Sequence, residues 1–299
     1  MPLLFEFSQN DLYCKHEITY SPPCNAFYMH THRQYELIYF LSGDASHVIE
    51  DRKYKLKTGD LILIRPSKYH FIEINSSLVY ERYSILFDEK LIGIDGASVI
   101  SDEFEVINIS SNTIADGIFK KFDFYRSGLS DNAFAEILRL LLKELFYNIG
   151  IEQSKLAVSE ADVLNPILSK ALSYINENIM TLKSISEVAS NLFVTESYLF
   201  RLFRQELHQT PKKYITDKRM IIAHNMISMG ERPTAVCEKC GFGDYTTFYR
   251  AYKQFFGCAP SSSESDETGE GMHKLKNNLS GVLTYGKNYD KIEKKEDEK

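Results

Sequence analysis

Apolar and polar positions alternate on two different periods along this chain, and the change of period divides it. Between residues 27 and 87, "YELIYFLSG", "SHVIED", "RKYKLKTGDLILIRP" and "LVYERYSILF" are short runs rich in β-branched and aromatic residues. Gly43, Asp51 and the Gly59-Asp60 pair punctuate them as turns. Several short strands at regular spacing predict a β-barrel or sandwich.

From about Thr113 apolar residues recur every three or four positions, the period of an amphipathic helix. "TIADGIFKKFDFYRSG" and "DNAFAEILRLLLKELFYNIG" predict two helices that stop at Gly128 and Gly150. In the second, Phe134, Ile137, Leu138, Leu141, Leu142, Leu145 and Phe146 form a wide apolar stripe. It suits packing against the chain's own barrel or a helix pair shared across a homodimer. "SKLAVSEADVL" is a short polar linker candidate.

Strong start signals then mark an all-helical region. Asn165-Pro166 and Thr210-Pro211 each place a capping residue before a proline at the first helical position. Ser184 to Glu187 fits a capping box, and Thr195 and Asp244 cap two further helices. Helices are expected over 166–179, 184–191, 195–207, 211–228, 233–240 and 244–256. Beyond Pro260 the chain is rich in Ser, Gly and charge, and residues 262–299 read as a disordered tail.

Two helical segments share one plan. "SISEVASNLFVTESYLFRLFRQEL" and "RPTAVCEKCGFGDYTTFYRAYKQFFG" each run a short apolar-faced helix into a tight turn and a longer amphipathic helix. That is the helix-turn-helix arrangement, whose second helix enters the DNA major groove. In the first unit Tyr198 or Leu199, with Leu202, Phe203 and Leu207, can face inward. Glu196, Ser197, Phe200, Arg201 and Arg204 then point outward. In the second, Phe248, Ala251, Tyr252 and Phe255 face inward and leave Tyr245, Thr246, Tyr249, Arg250 and Lys253 outside. Arginine reads guanine bidentately, and Thr or Tyr meets a thymine methyl or a phosphate.

Charge agrees with this division. Residues 1–162 hold 16 Lys+Arg against 24 Asp+Glu, residues 163–261 hold 12 against 8, and the remainder 7 against 9, within a total of −6. An acidic front joined to a basic back fits nucleic-acid binding by the second part. The first residues show no basic, apolar leader, and no apolar run reaches the length of a membrane span. Five dispersed cysteines do not suggest a disulfide framework, so the expectation is a cytoplasmic protein with no membrane association.

The stretch from "SISEVASNLF" to "CGFGDYTTFYRAYKQFFGCAP" resembles the DNA-binding domain of the AraC/XylS transcriptional regulators. The resemblance covers about 95 residues, and it implies two helix-turn-helix units on a linker helix, reading adjacent major-groove segments of double-stranded DNA. It places Ser197, Phe200 and Arg201 of the first unit, and Tyr245, Thr246, Tyr249 and Arg250 of the second, at base-facing positions. The chain departs from the family at His208, where a glycine is usual, at Pro233, and at Cys237 and Cys240. The front half, "HTHRQYELIYFLSGDASHVIEDRKYKLKTGDLILIRPSKYHF", resembles the cupin-type barrel with which such regulators sense a small molecule.

The expected organisation is therefore multidomain, α and β. A cupin-like effector-sensing barrel occupies 1–110, a helical dimerisation segment 111–155, a linker 156–162, and an all-α double helix-turn-helix domain 163–261. His30, His32, Tyr35, Glu36, Tyr39, Arg65 and His70 are the candidate effector-binding residues, with a sugar as one candidate effector. The resemblance further implies a homodimer and, for an activator, contact with RNA polymerase. Its members activate more often than they repress. His30, His32, Glu36 and His70 also match the ligand pattern of metal-binding cupins, so the alternative is a metal-dependent cupin enzyme with an appended helical domain. The reading adopted has no catalytic residue, no cofactor and no metal.

Overall fold

The computed structural model describes residues 3–9, 12–22, 29–88, 90–91, 104–152, 156–256 and 258–262. The chain divides into two compact units at Val163/Leu164. The tail expectation lies, from residue 263 on, outside the described residues.

The first unit is built on two antiparallel sheets. Strands β1 (Leu3–Gln9), β2 (Leu12–Thr19), β3 (Tyr35–Ser42), β6 (Asp60–Ile64), β8 (Tyr80–Phe87), β9 (Val106–Asn108) and β10 (Ala157–Val158) form one, in the order β1-β2-β8-β3-β6-β9-β10. Strands β4 (Ala45–Ile49), β5 (Arg52–Lys55), β7 (His70–Ile74) and β11 (Asp162–Val163) form the other, in the order β11-β5-β4-β7. This is the cupin-like architecture expected. The segment expected as a free linker instead supplies two edge strands, β10 against β9 and β11 against β5.

Because strand side chains alternate, register decides what each sheet presents. Leu37 pairs with Leu63 and Ile85, and Tyr39 with Leu61 and Tyr83. These residues share a core with helices α1 (Thr113–Gly128) and α2 (Asp131–Glu152). Phe134, Leu138, Leu141, Leu142, Leu145 and Phe146 are all buried in it. The apolar stripe of α2 therefore packs on its own sheet. A second, narrower row on α2 is left in solvent: Leu140 at 61 %, Tyr147 at 49 % and Ile151 at 77 % exposure.

The second unit is helical: α3 (Pro166–Glu177), α4 (Ile185–Asn191), α5 (Glu196–Leu207), α6 (Pro211–Ser228), α7 (Pro233–Lys239) and α8 (Tyr245–Phe256), closed by a 3-10 turn at Pro260–Ser262. The caps explain the boundaries. Asn165 accepts from Ile167 N–H at 3.0 Å, Thr195 from Tyr198 N–H at 3.2 Å, Thr210 from Lys213 N–H at 3.2 Å and Asp244 from Thr247 N–H at 2.8 Å. The capping box at Ser184 is not formed: its side chain makes no cap bond, and Glu187 accepts from Lys183 N–H at 3.1 Å instead. His208 closes α5 in the left-handed region, φ 52°, where a glycine would sit without strain.

Candidate nucleic-acid interface and barrel interior

Each helix-turn-helix is held by one apolar face. Leu199, Leu202, Phe203 and Leu207 of α5 are buried, and Phe203 meets Tyr214 of α6 edge-on at 5.7 Å. Tyr198 is only half-buried, so Leu199 is the inward residue of that pair. In the second unit Phe248 and Tyr252 are fully buried with Val236, Cys237 and Cys240 of α7 and its cap. Burial pushes both thiols up, Cys240 to about 11, so they are neutral core groups. Tyr252 hydroxyl bonds His224 of α6.

This packing leaves a polar face on each recognition helix. Glu196, Ser197, Arg201 and Arg204 are exposed on α5, as are Tyr245, Thr246, Arg250 and Lys253 on α8; Phe200 and Tyr249 are half-buried. Arg201 lies over the Tyr198 ring at 5.1 Å, which holds the guanidinium near the helix surface. The ten residues thus fall on two helix faces with solvent access.

Arg219 of α6, which the sequence reading did not single out, ties these two units together. Its Nε donates to Ile179 O at 2.9 Å and its Nη1 to Gly241 O at 3.1 Å, while Nη2 donates to Leu182 O. One guanidinium thus fixes the connection before α4 and the turn before α8 to the same helix.

In the first unit, register puts Glu36, Ile38 and Phe40 on the sheet face opposite the helices, beside Ile62, Ile64, Ser84 and Arg82. Tyr35 and Tyr39 take the other face. Tyr39 donates to Asp116 of α1 at 2.6 Å and stacks on Phe119 at 4.2 Å, and Tyr35 stacks on Phe87 at 5.6 Å. Arg65 donates to Phe104 O at 3.2 Å, on the helix side as well. These three expected effector residues are therefore separated from the histidines.

His30, His32, Glu36 and His70 do come together, with candidate ligand atoms all within 4.8 Å of one another. Glu36 Oε2 stands 3.1 Å from His32 Nε2 and 3.0 Å from His70 Nε2. His30 and His70 are joined by a pair of main-chain hydrogen bonds, both 3.0 Å. Burial alone would raise the Glu36 carboxyl, but its contacts with His32 and His70 outweigh this and hold it well below the usual carboxylate range.

The same interior carries polar groups that sequence reasoning missed. Buried Arg82 donates from Nε to Glu17 at 3.0 Å and from Nη1 to Tyr80 hydroxyl at 3.0 Å. Burial would raise the Glu17 carboxyl, yet Arg82 and Lys15 hold it low. Ser84 Oγ, Thr19 Oγ1 and both ring nitrogens of His47 are buried with no hydrogen-bond partner among the described residues. Such groups cost about 1–3 kcal/mol each when unsatisfied, so an interior that keeps several suits a polar guest.

Comparison with known proteins agrees with both halves. An AraC-like ligand binding domain matches residues 18–172, more than half of the 299-residue chain, and a helix-turn-helix domain matches residues 188–264. The chain is similar to the lactose operon transcription activator of Staphylococcus xylosus, 22 % identical over 255 residues, covering 79 % of this chain and 86 % of that protein. It is similar to the raffinose operon transcriptional regulatory protein RafR of Pediococcus pentosaceus, 22 % over 212 residues, covering 69 % and 75 %. The likeness to the probable transcriptional regulator LumQ of Photobacterium leiognathi is 28 % over 90 residues and spans 30 % of this chain and only 36 % of that protein.

Proposed function

The chain belongs to the AraC family of transcriptional regulators, and from that premise we propose how its parts divide the work. It is a DNA-binding regulator and not an enzyme. The observation that carries the reading is the pair of helix-turn-helix units set on α6 with polar faces left in solvent. We assign base and phosphate contacts to Glu196, Ser197, Phe200, Arg201 and Arg204 in the first segment read, and to Tyr245, Thr246, Tyr249, Arg250 and Lys253 in the second. The two units act as linked readers: once one is seated, the other meets its segment at high effective concentration.

The effector we propose is a sugar-like polyol inside the barrel, in keeping with the lactose and raffinose operons named for two relatives. The interior offers Arg82, Glu17, Ser84 and His47 as hydrogen-bonding groups. A polyol there meets Ser84 Oγ and the His47 ring nitrogens, which have no hydrogen-bond partner among the described residues. It shifts the protein toward the arrangement it binds better. Two copies pair through the exposed row Leu140, Tyr147 and Ile151 of α2, positions seven and four apart on one helix flank. The protein acts in the cytoplasm, and as an activator it meets RNA polymerase at the promoter. The working division is sensor barrel to residue 110, dimerisation helices 111–155, the stretch 156–162 as connection, and reader 163–261.

Selection of bound sequences from a random duplex pool tests this reading, with full-length protein at near-physiological salt so that phosphate contacts alone do not dominate. The expected product is a motif with two segments about one helical turn apart. A single short segment, or no motif from folded protein with and without candidate sugars, would overturn it.

A further inference from the structure

The two recognition helices are one design used twice, in the same helical phase. Both α5 and α8 are 12 residues long. Each starts behind a cap that accepts the N–H three residues on, Thr195 from Tyr198 at 3.2 Å and Asp244 from Thr247 at 2.8 Å. Counted from those caps, the fourth and eighth residues are buried in both helices: Leu199 and Phe203 on α5, Phe248 and Tyr252 on α8. The eighth residue meets α6 each time. Phe203 lies edge-on to Tyr214 and Tyr252 stacks on His224, both at 5.7 Å between ring centroids. An α-helix turns about 100° per residue, so a shared cap and two shared inward positions fix the same outward face on both.

On that face the chemistry repeats. The second residue carries a hydroxyl, Ser197 and Thr246, and the fifth an aromatic ring, Phe200 and Tyr249. The sixth is a guanidinium, Arg201 and Arg250, and the ninth a further cation, Arg204 and Lys253. Burial repeats with it: on both helices the second, sixth and ninth are exposed and the fifth is half-buried. Among these outward positions the first alone changes kind, Glu196 on α5 and Tyr245 on α8, both exposed. Base edges are read by type: a guanidinium takes guanine O6 and N7, an apolar group meets the thymine methyl, and a carboxylate accepts from cytosine N4. Like groups at like positions select like bases. A carboxylate and a phenol do not, because the carboxylate only accepts and is repelled by the acceptors of guanine. We propose that the two readers bind two copies of one short motif. The copies differ at the pair met by the first helical residue, where Glu196 selects cytosine and Tyr245 does not. This rests on the regulator reading above and adds the class of site it needs, an imperfect repeat and not two unrelated segments.

Sequences are selected from a random duplex pool by full-length wild type, Glu196→Tyr and Tyr245→Glu, at near-physiological salt. Wild type is expected to return two segments that align with each other, in the same or the opposite orientation, at all but one pair. Glu196→Tyr should remove the cytosine preference from one segment and make the two alike. Tyr245→Glu should add a cytosine preference to the other. Each shift is expected to be roughly 10- to 100-fold at that single pair, with the rest of the motif kept. Each variant gives one helix start the residue that the other helix already carries there, and circular dichroism checks that it is folded. The wild-type alignment decides the repeat even where a variant fails to fold. Two segments of unrelated sequence overturn the proposal and leave the regulator reading standing, whereas a single segment or no motif overturns both. A pair that keeps its wild-type preference in either folded variant also overturns the proposal.

Discussion

Gly241 and Arg219 should behave as one unit, and the cost of breaking it follows from the geometry. Gly241 sits at φ +69°, and a Cβ built there would lie 3.0 Å from Arg219 Cζ and Nη2. The left-handed backbone alone costs a non-glycine residue about 1–2 kcal/mol. An arginine tip would ordinarily move aside at little cost. Here it is held by Ile179 O, Leu182 O and Gly241 O. Displacing it weakens at least one hydrogen bond from a charged donor, about 1.5–3 kcal/mol. Gly241→Ala is therefore expected to destabilise the helical unit by about 2.5–5 kcal/mol. In an Arg219→Met background the same change should cost only the backbone share, about 1–2 kcal/mol. The double-mutant cycle thus predicts a coupling of about 1.5–3 kcal/mol, measured by urea unfolding followed by far-UV circular dichroism. Additivity within about 0.5 kcal/mol would refute the clamp, as would a Gly241→Ala cost no larger than the backbone term.

Other expectations follow from the same contacts. Glu17 has its carboxyl lowered in the fold, so the folded state takes up this proton less readily than the unfolded chain. Its stabilisation is complete above the ordinary value of 4.5 and is lost as pH falls below it through the lowered value. Thermal unfolding of wild type should weaken across that acid window, and Arg82→Met should flatten the dependence. Replacing His208 with Gly relieves a left-handed residue at the end of α5. It should raise stability by about 0.5–1 kcal/mol in urea titrations, and an unchanged or lower midpoint would show that no strain is stored there. Leu140→Glu with Ile151→Lys should convert a dimer to monomer in sedimentation velocity without changing the circular dichroism spectrum; a dimer that persists would remove α2 from the interface.

The helical unit was largely legible because its instructions are local. Asn165, Thr195, Thr210 and Asp244 each bond a main-chain N–H two or three residues ahead, and the period of three to four separates Phe203 from Arg204 without any distant contact. Ser184 failed as a cap because Glu187 found Lys183 N–H instead, a competition that spacing does not decide. The barrel was harder. Strands β1 and β2 are not legible in the sequence because Lys15, Glu17 and Thr19 interrupt the apolar pattern, and what lets Glu17 be buried is Arg82, 65 residues away. Tyr35 and Tyr39 were grouped with Glu36 although an odd offset along a strand sends them to the opposite face. That signal was present in the numbering. By periodicity alone the stripe on α2 suits either its own barrel or a partner helix, and its burial with Leu37, Tyr39 and Ile85 decides for the chain's own sheet.

The central claim is that each recognition helix reads its own segment of DNA. It is tested most directly by repeating the duplex selection with Arg201→Ala and with Arg250→Ala. Each variant should lose preference at one or two base pairs within a single segment, by about 1–3 kcal/mol or roughly 10- to 100-fold, and keep the other segment's motif. Motifs identical to wild type in both variants, or loss at the same positions in both, would contradict it.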